Sequence, residues 1–253
     1  MREKPRTLGT DKNLRMPPRT PGSTEVIYGR NAVLETVRTG SRTIHEILVL
    51  PQHEAEILDT AGPVAVRVLQ RRDMERIAGT EHHQGMAARV SLYRYAGLDE
   101  LFRYRVVVLL DSVEDPQNLG SIVRTAHALA GAGMVIPEHR AAGVTPAVVK
   151  ASSGATEHVK IARVTNLRAA AQKLKENGFW LVGLEADARE DIGSIPKFDK
   201  VGLVLGGEDS GIRPVVTSEL DMAARIPMQG TFNSLNVAHA AAIALYELAV
   251  RGR

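Results

Sequence analysis

The stretch VGLVLGGEDSGIRP, residues 201–214, decides the fold. Val201 to Leu205 carries no polar side chain, which is the pattern of a strand covered on both faces rather than one with a wet side. Two glycines, two acids and Gly211 follow almost at once, so a buried strand delivers a loop of nearly bare, negatively charged backbone. Gly206 and Gly211 have the glycine spacing of a phosphate-cradling P-loop. The next residues, however, are Ile212 and Arg213 where that loop needs Lys and Ser or Thr, and Glu208 and Asp209 stand where anionic phosphates would lie. The loop suits a ligand that approaches backbone closely and carries positive charge, or it holds an arginine in place.

Upstream, the pattern repeats. Val106–Leu110 is a second continuous apolar strand, and helix 119–130, strand 134–136, helix 146–151, strand 160–164, helix 167–176, strand 180–184, strand 201–205, strand 223–226 and helix 237–251 follow in order. Alternating strands and helices predict an α/β domain with a mostly parallel sheet, helices on both faces and ligands at the carboxyl ends of the strands. A dinucleotide is disfavoured as the ligand, because the first turn, Asp111-Ser-Val-Glu-Asp-Pro-Gln-Asn-Leu-Gly120, lacks the glycine fingerprint.

Residues 24–93 read as a separate small α/β domain, with helical periodicity from Tyr28 to Arg38, strands at 44–50, 64–68 and 86–93, and helices at 54–60 and 72–77. Residues 94–104 read as the linker to a catalytic domain spanning 105–253. Residues 1–23 hold six bases against two acids, a surplus of +4 that exceeds the whole-chain +3, among prolines and glycines; they read as a disordered basic tail, suited to nucleic acid or equally a solubilising or targeting segment. With no cysteine, disulfides, thiolate metal sites and cysteine nucleophiles are excluded. No apolar run reaches the roughly 18–20 residues of a membrane span, so a soluble, cytoplasmic protein without membrane partners is expected. His82 and His83 are adjacent without further ligands, and no metal site is expected.

Three segments share a strand–polar loop–helix layout: Asp115–Ala126, Gly206–Gly211 and Ile226–Val237. Together, in this order, they resemble the three signature motifs of the SpoU branch of the SPOUT RNA ribose methyltransferases, over residues 106–251. Tyr28-Gly-Arg-Asn-Ala-Val33 and His82-His-Gln-Gly-Met86 are similar to the small substrate-binding domain of the large-subunit rRNA guanosine methyltransferases of that family. The resemblance implies a deep trefoil knot in the catalytic domain, S-adenosylmethionine as cofactor, a homodimer, and 2′-O-methylation of a ribose, most simply a guanosine of 23S rRNA.

The same resemblance implies the site. Gly206, Gly207, Gly211, Ile226, Met228 and Leu235 would contact the donor. Asn118, Arg124, Glu208, Ser234 and Asn236 would carry the chemistry. By residue type alone, Arg124 is a helix arginine. With a pKa above about 12 it is a poor base, so it would position the hydroxyl and stabilise the developing alkoxide, with Gly120 clearing space beside it and Glu208 as its partner. Asn118 sits where a helix cap belongs, and Asn236 and Ser234 precede the last helix in cap positions; catalytic and capping roles are both open for them. Ala238 stands where family members often have a serine. Selectivity for RNA is expected from the small domain through Arg30, Arg38, Arg42, Arg67, Arg71, Arg72 and Arg76. A tRNA or antibiotic-protecting rRNA methyltransferase and a silent rRNA assembly factor on the same fold are the rival readings.

Overall fold

The structure is a computed structural model that describes residues 24–208, 211–231 and 234–251; the expected basic tail lies outside the described residues. The chain forms two compact units that divide between Tyr93 and Arg94.

The first unit is a four-stranded sheet in the order β1-β4-β2-β3. Its elements are β1 (Thr24–Tyr28), α1 (Arg30–Thr39), β2 (Ile44–Val49), α2 (Glu54–Leu58), β3 (Val66–Val68), α3 (Arg71–Ala78) and β4 (Met86–Ser91). Strand β1 was not foreseen. It is five residues long, with only Gly29 between it and α1; its pairing antiparallel to β4, distant in sequence, defines it. Strand β2 pairs antiparallel to β4 and parallel to β3. Leu48, Leu50, Leu69, Met74 and Ala87 form the apolar cluster beneath α3.

The second unit carries seven strands in the order β7-β6-β5-β10-β8-β11-β9, and every strand pair in it is parallel. The elements are β5 (Val106–Asp111), α4 (Pro116–Ala130), β6 (Gly133–Pro137), α5 (Pro146–Ala151), β7 (Ile161–Val164), α6 (Leu167–Glu176), β8 (Trp180–Leu184), β9 (Glu190–Asp191), β10 (Val201–Gly206), α7 (Pro214–Thr217), β11 (Met222–Arg225) and α8 (Val237–Ala249). The chain runs β5, β6, β7 to one edge, crosses to β8, and then inserts β10 between β5 and β8. Strand β5 is buried at all six positions, as its sequence predicts for a central parallel strand. The insertion places the carboxyl ends of β5 and β10 side by side, with Asp111 opposite Gly206. Strand order reverses here, where α/β sheets leave a crevice.

Residues 94–104, expected as a linker, pack into this second unit. Leu101 is fully buried among Val107, Leu109 and Val135, with Leu98, Phe102 and Tyr104 against it. Ala96 forms a bridge to Ala162, and the Tyr95 hydroxyl accepts from the Val144 amide at 2.9 Å. The aromatic and leucine residues of this segment hide their periodicity in a short 3-10 helix, Leu98–Arg103, whose three-residue turn matches neither the helix nor the strand pattern.

Helix α8 packs on α4 and β10. Ala241, Ala244 and Ala249 are buried on that contact, so these small residues serve packing inside the chain.

Candidate active site

Helix α4 begins one turn earlier than its apolar pattern indicates. Asp115 is the cap, its carboxylate accepting from Gln117 N at 3.1 Å, and Pro116 occupies the first helical position, where a missing N–H costs nothing. Asn118 is therefore inside the first turn rather than at the cap. Its side chain, 9% exposed, is free of capping duty and donates from Nδ2 to Glu208 Oε1 at 2.7 Å. Asn236 does cap α8, its Oδ1 accepting from Ala238 N at 2.9 Å. Its Nδ2 also lies 2.9 Å from Asn118 Oδ1 and 2.8 Å from Glu208 Oε1. One carboxylate and two amides thus clasp the starts of α4 and α8 and the loop after β10, bringing together residues 118 positions apart.

The clasp separates two adjoining clefts at the carboxyl ends of the strands. The first, about 230 Å³, is lined by all six expected donor positions, Gly206, Gly207, Gly211, Ile226, Met228 and Leu235, and by Glu208 and Ser234. The second, about 430 Å³, is bounded by Ser112, Glu114, Asp115 and Asn118, and shares Gly207, Glu208 and Val237 with the first. The sequence reading missed Leu184, Glu185 and Ala186, which line the first cleft from the end of β8. Their signal was positional, because the last residue of a central parallel strand opens onto the crevice.

The glycines serve for a reason other than ligand approach alone. A Cβ at Gly206 would collide with the backbone of Gly211 and Ile212, and one at Gly207 with the Ser112 carbonyl. The loop folds back on itself through a Gly207–Gly211 bridge. Gly211, at φ +60°, has open space and is needed for its left-handed backbone. The loop is fixed further by Asp111, which is fully buried and accepts from Arg213 N at 2.9 Å and Arg213 Nε at 2.7 Å. The sequence raised a held arginine as one use of this loop; here Arg213 holds the loop itself.

Arg124 lies exposed on α4 and is in the lining of neither cleft. Its Nη1 donates to Ser153 Oγ at 3.2 Å, not to Glu208, whose Oε1 is taken by the two amides. Gly120 is buried, and a Cβ there would strike Ala151 and Ser152. It lets α5 approach α4 closely, so it does not clear space for the guanidinium; the same close approach brings Ser153, held at φ +54°, against Arg124.

In the small unit the expected basic face is largely neutralised. Arg30 pairs with Glu56, Arg38 with Glu35, Arg42 with Glu25, Arg67 with Glu46, Arg71 with Glu75 and Arg76 with Asp73. The Arg30 guanidinium holds the Glu56 carboxyl below its ordinary range. Gly29-Arg30-Asn31, Gln52-His53 and His82-His83-Gln84-Gly85 meet at one end of the sheet. There Arg30 N donates to Gln84 Oε1 at 3.2 Å, Gln84 sits at φ +53°, and Gly85 abuts the His53 ring. His83 is buried and accepts at Nδ1 from Gly85 N at 2.9 Å, which places its proton on Nε2; burial, followed by the charge of Arg71, pushes its pKa down. Among the described residues no group of three or more His, Cys, Asp or Glu is arranged to hold a metal ion, and no helix is long and apolar enough to cross a membrane.

Apolar walls, folded-back glycine backbone, two carboxylates and no lysine or arginine among the described lining residues fit a cationic nucleoside such as S-adenosylmethionine and oppose a polyphosphate. The architecture is that of an RNA methyltransferase. Residues 105–246 match the SpoU rRNA methylase family, and residues 26–96 match the RNA 2′-O ribose methyltransferase substrate-binding domain. A Bacillus subtilis protein placed in the TrmH family of tRNA/rRNA methyltransferases is 37% identical over 238 residues, 88% of this chain and 94% of its own length. The crystal structure of the SpoU methyltransferase AviRb from Streptomyces viridochromogenes with the cofactor AdoMet is 26% identical with TM-score 0.74, covering 88% of each chain. That of an AdoMet-bound rRNA methyltransferase from Sinorhizobium meliloti is 25% identical with TM-score 0.76, covering 88% of this chain and 86% of that one. The chain belongs to the SpoU rRNA methylase family, and it is an S-adenosylmethionine-dependent RNA methyltransferase.

Proposed function

We propose that the protein methylates the 2′-hydroxyl of a single ribose, a guanosine in 23S rRNA, with the cleft at Gly206–Gly211 as the donor site and the neighbouring polar cleft as the entry for the nucleotide. The observation that carries this reading is the clasp of Asn118, Glu208 and Asn236, which ties the three motif loops together between the two clefts. S-adenosylmethionine supplies a methyl group on a positively charged sulfur. The chain's part is to hold that carbon in line with the ribose oxygen and to assist loss of the hydroxyl proton. Glu208, fixed by two amides, sets the wall between donor and acceptor. Ser234 and Leu235 close the donor side.

Arg124 is the residue assigned to the reacting hydroxyl and its phosphate. As it lines neither cleft of its own chain, we assign it to a cleft across a homodimer. The exposed Ile243 and Tyr246 of α8, on the helix that packs against α4, support such an assembly. A chain path with β10 inserted between β5 and β8 and α8 returning onto α4 supports the deep trefoil knot expected of the family.

With most of its arginines paired, the small unit would select RNA through the polar end carrying Asn31, Gln52, His53, His82 and Gln84. RNA loops are commonly recognised by hydrogen bonds to, and stacking on, their exposed bases. The test is methyl transfer to protein-free 23S rRNA and to total tRNA, with the modified position mapped by ribose-methylation sequencing. One modified 23S guanosine is the expected result. Modification of tRNA alone would overturn the rRNA assignment, and absence of transfer to both would favour a silent assembly factor.

A further inference from the structure

Among the described lining residues the cleft has two carboxylates, and one of them is committed. Glu208 Oε1 accepts from two side-chain amides. The side chain of Glu185, half-buried at the end of β8, has one long contact among the described residues, the Thr217 hydroxyl donating to its Oε1 at 3.3 Å. The remaining wall is apolar side chain or backbone, and no lysine or arginine is among its described lining residues. A half-buried carboxylate in such surroundings is poorly solvated and unneutralised, so its field acts on whatever occupies the cleft with less screening than at an open surface.

We infer that Glu185 makes the cleft a charge discriminator that favours the sulfonium donor over the neutral thioether left after transfer. The inference rests on the donor-cleft assignment above. When the methyl group moves to the ribose oxygen, the S–C bond breaks with its electron pair returning to sulfur, the new O–C bond forms, and the hydroxyl proton leaves. The ligand's sulfur thereby loses its positive charge. A fixed negative charge in the cleft attracts the ligand before this change and has no sulfonium to attract after it. Glu185 therefore strengthens donor capture and leaves product retention nearly unchanged at one site. It acts through charge, and it needs no direct bond to sulfur.

The test is calorimetric binding of S-adenosylmethionine, S-adenosylhomocysteine and sinefungin, in which an ammonium group replaces the sulfonium, to the full-length protein and to Glu185→Gln. The variant keeps shape and removes charge. The expected result is about a five- to tenfold loss for the two cationic ligands with S-adenosylhomocysteine within about twofold of wild type, the size expected for one partly screened charge. Glu185→Asp should retain most of the discrimination. An equal loss for all three ligands, or no change for any, overturns the inference. If Glu185→Gln binds none of them, the wild type decides: donor affinity must fall with salt more steeply than product affinity, and parallel salt dependence overturns the idea. Leu235→Trp, which fills the cleft, should abolish binding of all three. Retained binding there would overturn the cleft assignment itself, separately from the role of Glu185.

Discussion

The two units handle their polar residues in opposite ways. In the small unit nearly every described arginine has an acid beside it, at sequence neighbours such as Arg76 and Asp73 or across strands as Arg89 and Glu46. In the catalytic unit the polar groups that matter are drawn from far apart in the chain. Asn118, Glu208 and Asn236 bond to each other, and Asp111 reaches Arg213 across 102 positions. Exposed short-range pairs contribute little and tolerate loss, typically about 0–1 kcal/mol each. The fully buried Asp111 carboxylate cannot lose Arg213 without leaving a poorly satisfied charge. The contrast teaches that the small unit presents a polar surface of modest charge, whereas the catalytic unit is organised around a few costly contacts that fix loop geometry.

The largest expected effect breaks the comparison at Arg124, an assigned catalytic group that lines neither cleft. Arg124→Ala should lower kcat by about 100- to 1000-fold, the range seen when a single stabilising group is removed, with calorimetric donor affinity within twofold. Mixed dimers of Arg124→Ala with Glu208→Ala subunits should regain activity if Arg124 serves the opposite cleft; inactive mixed dimers would return it to its own chain.

The second test separates the units. A fragment beginning at Arg94 should fold and bind S-adenosylmethionine but fail to methylate 23S rRNA. A fragment beginning at Tyr104 removes Leu101 and its neighbours from the core and should lose at least the roughly 2–5 kcal/mol of a buried leucine truncation, measured by urea unfolding. Specific methylation by the Arg94 fragment would remove the small unit as selector.

The third probes the loop anchor. Arg213→Ala should cost about 2–3 kcal/mol, since it deprives the buried Asp111 of a charged hydrogen bond while the backbone donor remains. The cost should appear as a lower thermal midpoint together with a raised KM for the donor. A change in neither would show that Asp111 does not organise the loop.

The smallest effect concerns pH. His83 is held neutral by burial, its folded pKa below the unfolded value of about 6.5, so the unfolded state binds the extra proton first and stability falls as pH drops below about 6.5. His83→Asn, which can still accept from Gly85 N, should flatten the decline in thermal midpoint between about pH 6.5 and 5. An unchanged slope would assign the acid sensitivity elsewhere.

The sequence by itself determined the parallel α/β catalytic unit, because uninterrupted apolar strands alternating with helices admit few other arrangements. The resemblance of its three motif loops also named six positions that line one cleft at the strand ends. Only the tertiary structure decided which groups touch. Nothing local distinguishes Asn118 as a cap from Asn118 as a clasp until Asp115 is seen to take the cap and Glu208 arrives from 90 positions away. Nothing in an arginine count shows that its acids stand opposite, or that Glu208 is bound by amides and leaves Arg124 to Ser153. The 94–104 segment passed for a linker because its pattern is too short and too tightly wound to register, although Leu101 is core. Burial periodicity is written along the chain, whereas hydrogen-bond partnership depends on which loops the strand order brings to the same edge, here through the insertion of β10 between β5 and β8.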